Sequence, residues 1–126
     1  QGNVILVRQY RAGAGKVLLE VPAGVVEQGE TPDDCCRREL KEETGYVPER
    51  IERIGGFYAT PGYGTEFLHL YIATGLHAGA QQPMEDEKIE MVRYPLKEIP
   101  KLIIAGEICD AKSIAGLLTV FHRSWD

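Results

Sequence analysis

The apolar positions fall into short runs of two kinds, those that alternate with polar residues and those that are continuous. Val4-Ile5-Leu6-Val7 is continuous and rich in β-branched residues, as expected of a strand buried on both faces, and it ends in Arg8-Gln9-Tyr10-Arg11. Ala12-Gly13-Ala14-Gly15 reads as a flexible turn and Lys16 to Val21 as a second strand, which Pro22-Ala23-Gly24 breaks. Thr65 to Thr74 alternates, with Phe67, His69 and Tyr71 on one face and Leu68, Leu70 and Ile72 on the other. Arg53 to Ala59 reads as a strand whose Gly55-Gly56 pair marks a bulge or a close backbone approach, and Ile89 to Tyr94 as a further strand. Leu96 to Ala105 suggests a short helix. After Asp110, a good cap, Ile114, Leu117, Leu118 and Phe121 recur at the spacing of an amphipathic helix that packs on a sheet. The order predicts an α/β domain with a mixed sheet and helices on both faces.

Between the second and third strands lies a helix of different character. Thr31 can cap it, Pro32 suits its first position, Asp34 stands where a capping acid belongs, and Gly45 stops it. Cys36 and Leu40, four apart, are expected on the face that meets the sheet, with Cys35 near the opposite, acidic face. Glu39, Glu42 and Glu43 project from one face within a turn of each other and repel. Arg38, four residues before Glu42, can pair with it, whereas Arg37 and Lys41 fall on the other side. One arginine leaves an excess of negative charge. Hard cations such as Mg2+ prefer oxygen ligands and keep several waters, so the face reads as a metal platform with places left for phosphate oxygens.

Composition narrows the functions this helix can serve. The chain has 126 residues, 44% of them hydrophobic, enough for one domain with a real core. A net charge of -5 without a basic cluster argues against general nucleic-acid binding, which neutralises phosphates with Lys and Arg. An acidic chain that binds a phosphate-bearing substrate must bring metal. The three cysteines offer neither a disulfide framework nor a CxxC spacing, which points to a reducing, cytoplasmic setting. No apolar run approaches the length of a membrane span. Gln1 is not an initiator and the chain opens almost directly on a strand, so an N-terminal segment is expected to be missing.

Gly24, Glu30, Arg38-Glu39-Leu40, Glu42-Glu43 and Gly45, at these spacings, resemble the Nudix box, with Tyr46 in place of its closing aliphatic residue. The resemblance implies a Nudix-type α/β/α sandwich with a mixed central sheet. It also implies that Glu39, Glu43 and the carbonyl of Ala23 hold Mg2+ or Mn2+, that Glu42 assists, that Arg38 orients the glutamates and that Glu30 buttresses them. Arg8-Gln9-Tyr10-Arg11, Leu19-Glu20-Val21-Pro22-Ala23-Gly24 and Pro61 are similar to the ADP-ribose pyrophosphatase branch, which hydrolyses a nucleoside diphosphate sugar. On that likeness ADP-ribose would yield AMP and ribose 5-phosphate. The general base would be Glu87 in a late acidic loop, with Glu85 as the alternative. Arg11 would hold a phosphate, Glu20 would contact the nucleotide and Glu66 would assist a metal. Tyr10 or Tyr63 could stack on the base, and a homodimer completed by the N-terminal segment is implied. Two alternatives stay open, a hydrolase of another nucleoside diphosphate sugar or dinucleotide and a nucleotide-sensing domain without catalysis.

Overall fold

The structure, a computed structural model, describes residues 2–79 and 89–123. In chain order the elements are β1 (Asn3–Arg11), β2 (Lys16–Glu20), α1 (Pro32–Thr44), β3 (Tyr46–Tyr58), β4 (Phe67–Ala78), β5 (Glu90–Pro95), a 3-10 turn (Leu96–Glu98), α2 (Ile99–Ile104) and α3 (Ala111–Phe121). The described residues divide into two compact units, 2–22 with 89–123 and 23–79.

In the first unit β1 is the middle strand of an antiparallel sheet of order β2-β1-β5. Consecutive strand residues point to opposite faces, and both Leu6 and Val7 are buried, so the apolar run is covered on both sides. The hairpin closes where the Arg11 carbonyl accepts from the amides of Ala14 and Gly15, with Gly15 at a φ of 69° that a residue with a Cβ rarely adopts. Leu6, Leu19, Leu96, Ile99, Ile108 and Leu117 form the core. The single helix expected over 96–105 is instead a 3-10 turn followed by α2, because Pro100 lacks the amide that would continue one ladder through it and suits a helix start. Asp110 caps α3 by accepting from the Ser113 amide at 3.2 Å.

The second unit holds α1 and an antiparallel ribbon of β3 and β4. Thr31 Oγ1 accepts from the Asp34 amide at 3.1 Å, and Gly45, at φ 79°, donates back to the Lys41 carbonyl at 2.8 Å, so both ends of α1 lie where the sequence placed them. Its buried residues are Cys35, Leu40, Glu43 and Thr44. Cys35 is buried beside the acidic face, where Arg38 Nη2 reaches its sulfur at 3.9 Å, and Cys36, half-buried, lies near Tyr71 of the ribbon, as expected of the two positions. Desolvation raises both thiols, Cys36 to about 11, which suits packing residues. Tyr71 of β4 ties the start of α1 down through its hydroxyl, which donates to Asp33.

The ribbon is longer than the apolar pattern suggested. β3 begins at Tyr46 rather than Arg53 and runs through Pro48, opposite Leu76, while β4 extends to Ala78. Proline is tolerated because β3 pairs on one side only within this ribbon. The Gly55-Gly56 pair serves both purposes expected of it. The register shifts between Arg53 and Gly55, where φ is 151°, and a Cβ on Gly56 would stand 2.5 Å from the Phe67 ring.

Candidate active site

Arg38 organises the acidic face of α1. Its Nε donates to Glu30 Oε2 at 2.7 Å and its Nη2 to Glu30 Oε1 at 3.0 Å, a fork that fixes the guanidinium plane. Nη1 then reaches Glu39 at 3.0 Å and Glu42 at 3.4 Å, with Glu27 at 3.8 Å, and Nη2 also meets the Val25 carbonyl at 3.1 Å. Glu30 accepts the Glu27 amide at 3.0 Å as well, which folds the loop before the helix. Hydrogen bonds from Arg38 and the Glu27 amide hold the Glu30 carboxyl at about 2, well below the ordinary glutamate range. Glu39 behaves oppositely. Burial and the neighbouring charge of Glu42 push it up, and Arg38 offsets only part of that rise.

Two carboxylates of this face meet the backbone that precedes the helix. Glu43, 7% exposed, accepts from the Ala23 amide at 3.3 Å. Glu39 lies so close to Gly24 that a Cβ built there would stand 1.9 Å from its carboxyl carbon, a distance no real contact allows. Glycine is therefore required for the carboxylate to occupy this place. Arg38 pins that carboxylate from its other side, so it has little freedom to swing away.

This donor set fits a hard divalent cation. The oxygens are carboxylate oxygens, and they are held together in spite of their repulsion. Among the described residues no group of three or more His, Cys, Asp or Glu converges to hold a metal, so Glu39 and Glu43 would need a backbone carbonyl, water or substrate oxygens to complete a shell. Such a mixed shell is usual for Mg2+.

The other expected residues fall in different places. Arg11 lies in the first unit, where it forks onto Glu20 through Nε at 2.7 Å and Nη2 at 2.8 Å. Glu20 is 1% exposed, and Lys112 Nζ also donates to its Oε1 at 2.7 Å. Glu20, expected to touch the nucleotide, is thus enclosed by two cations. Burial alone would raise Glu20, but Arg11 and Lys112 outweigh it and hold the carboxyl low. Glu66 is exposed and its carbonyl accepts from the Ala59 amide, and Tyr10 and Tyr63 are exposed as well. Glu87 and Glu85 lie outside the described residues. Sequence reasoning missed Lys112 and Glu27 altogether. Lys112 stands 92 residues from its partner, and no local pattern links them.

The NUDIX domain family model matches residues 1–116. An ADP-ribose pyrophosphatase of Bacillus subtilis (strain 168) is 36% identical over 115 residues, covering 90% of this chain and 62% of that protein. A GDP-mannose pyrophosphatase of Citrobacter koseri is 35% identical over 131 residues, 97% of this chain and 68% of the relative. The chain thus spans about three-fifths of the length of the Bacillus protein. The crystal structure of an ADP compounds hydrolase superposes with a TM-score of 0.87 at 25% identity over 95% of this chain and 65% of that one, so the α/β Nudix fold that the motif implied is the fold of this chain. No helix among the described residues is long and apolar enough to cross a membrane. Because the family pattern runs through nearly all of the chain, the chain belongs to the NUDIX domain family.

Proposed function

We propose that this chain is a divalent-metal-dependent hydrolase of the pyrophosphate bond in nucleoside diphosphate sugars, and that it takes ADP-ribose to AMP and ribose 5-phosphate. The observation that carries the proposal is the seating of Glu39 against Gly24, with Glu43 on the Ala23 amide and Arg38 across the acids. Glu39, Glu43 and the Ala23 carbonyl would hold Mg2+ or Mn2+. Once bound, the cation would neutralise the diphosphate and acidify the attacking water. Arg38 holds Glu39 and Glu42 in place, and Glu42 adds negative charge beside the metal ligands. Glu87 takes the proton of the water whose oxygen attacks phosphorus, and the bridging P–O bond breaks.

Arg11 offers a planar fork suited to a phosphate oxygen, and Glu20 acts by aligning it. The substrate reading draws on the name of the Bacillus relative, and a homodimer on the same branch of the family. A cytoplasmic location belongs to the same proposal and agrees with three free thiols, Cys35, Cys36 and Cys109. The name of the Citrobacter relative favours GDP-mannose as the second reading.

Product analysis after incubation with ADP-ribose, GDP-mannose, UDP-glucose and NADH, each with Mg2+ and with chelator, tests both. Mg2+-dependent release of AMP from ADP-ribose in preference to the rest is expected. Preferential release of GMP from GDP-mannose would replace the first reading by the second. Binding without turnover of any of the four would make the chain a nucleotide-sensing domain.

A further inference from the structure

We infer that Lys112 is a positioning residue for the substrate: acting through the buried carboxylate of Glu20, it fixes the guanidinium of Arg11. The inference rests on the proposed role of Arg11 as a phosphate holder. It goes beyond that role by assigning a function to the start of α3, which the acidic box does not include.

The cluster is continuous, and among the described residues its charges balance. Glu20 Oε1 accepts from both Arg11 Nη2, at 2.8 Å, and Lys112 Nζ, at 2.7 Å. Lys112 Nζ also meets Asp110 Oδ2 at 2.9 Å, and the same oxygen accepts from the Ser113 hydroxyl at 2.7 Å. Ser113 Oγ in turn accepts from the Val21 amide at 2.9 Å, the residue after Glu20. The end of β2 and the first turn of α3 are therefore joined at two consecutive residues. Two cations, Arg11 and Lys112, face two carboxylates, Glu20 and Asp110.

Exposure separates the parts these groups can play. The Arg11 side chain is 43% exposed and Lys112 only 19%, so Arg11 is the member that can present its charge to a ligand. If Arg11 were the sole counter-charge of Glu20, a phosphate on its exposed side would compete with a buried carboxylate for the same guanidinium and pull it out of its plane. Lys112 offsets that competition by neutralising and holding the Glu20 carboxylate, so that the carboxylate keeps the Arg11 fork in one orientation while its exposed side meets the phosphate. Without Lys112 the cluster would carry a net negative charge beside the group meant to attract an anion.

Steady-state kinetics with ADP-ribose and Mg2+ tests the assignment. Lys112→Met should raise KM about tenfold, roughly 1.4 kcal/mol, with kcat changed by no more than about threefold. Lys112→Arg should restore KM to within about threefold of wild type. In an Arg11→Ala background Lys112→Met should add less than about twofold, because its effect passes through Arg11. An unchanged KM in folded Lys112→Met, or a full additional penalty in the Arg11→Ala background, would overturn the inference. Should Lys112→Met fail to fold, Glu20→Gln combined with Lys112→Met removes the stranded charge, and a normal KM in that protein overturns it equally. If the wild-type chain turns over none of the four substrates, the hydrolase reading fails on its own. The same variants are then read by calorimetric binding of ADP-ribose, where an unchanged Kd in Lys112→Met counts against positioning and a tenfold rise supports it.

Discussion

Arg11 and Arg38 each fork onto a glutamate at nearly the same distances, yet the surroundings of the two pairs are opposite in charge. Among the described residues the cations around Glu20 match the acids, since Arg11 and Lys112 face Glu20 and Asp110. Around Arg38 one cation serves Glu27, Glu30, Glu39 and Glu42, with Glu43 close by. The consequence is visible in the carboxyls themselves. Glu20 is buried and still held low by its partners, whereas Glu39 is only partly buried and yet raised, because desolvation and the charge of Glu42 outweigh Arg38. An unbalanced cluster that the fold nevertheless holds together, with a glycine reserved to make room, is where an added cation has something to do.

The comparison breaks most directly at Glu43. Glu43→Gln keeps an oxygen to accept from the Ala23 amide and removes only the charge, so the fold should persist while Mg2+-dependent turnover falls by about a thousandfold or more. Retention of a tenth of the wild-type rate would mean that the excess acid is not a metal platform. Next in size is Glu87→Gln, which should lower kcat by about a hundredfold or more and leave the affinities for metal and ADP-ribose nearly unchanged. A wild-type rate there would remove Glu87 as the base and turn attention to Glu85.

Gly24→Ala sharpens the same contrast by geometry alone, with no change of charge. The added methyl would overlap the Glu39 carboxyl, which Arg38 prevents from stepping aside. We expect the Mg2+ concentration for half-maximal rate to rise about tenfold, an effect of roughly 1.4 kcal/mol, with a modest change in melting temperature. If the loss appeared in stability and the metal requirement stayed as it was, Gly24 would be a packing residue only.

What the sequence made legible follows from the range over which each interaction acts. The ends of α1 and the convergence of Glu39, Glu42 and Glu43 depend on helical period and caps, which are local, and these could be read from Thr31, Pro32 and Gly45. The spacing of Gly24 from the acids was legible through its resemblance to a known box, although the reason for it, the contact with Glu39, needed coordinates. The Glu20–Lys112 pair was not legible, since residues 92 apart meet only when β2 and α3 pack. The first half of β3, which holds Pro48, was not legible because it shows no sustained apolar alternation and is fixed by its pairing with the far end of β4. Cys35 and Cys36 were legible because adjacent helix positions differ by about 100°, which places Cys35 beside Arg38 and Glu39 and Cys36 towards the ribbon.

The smallest expected effect concerns acid stability, and it depends on the sign of the Glu30 shift. Its folded value of about 2 lies below the ordinary glutamate value of about 4.3. A lowered carboxyl stabilises the fold in full above the unfolded value and loses that contribution as pH falls towards the folded one. Stability measured by urea unfolding should therefore decline between about pH 4.3 and about pH 2, with Glu20 and Asp110, both held low by Lys112 and their other partners, declining in the same sense. Glu30→Gln removes one titrating group, so its decline should be shallower by up to about one proton of linkage, with the remainder left to the balanced cluster. If the variant and the wild type declined in parallel, the Arg38–Glu30 fork would contribute nothing to stability. Arg38 would then serve only to hold Glu39 and Glu42, and the acid sensitivity of the fold would belong to Glu20 and Asp110.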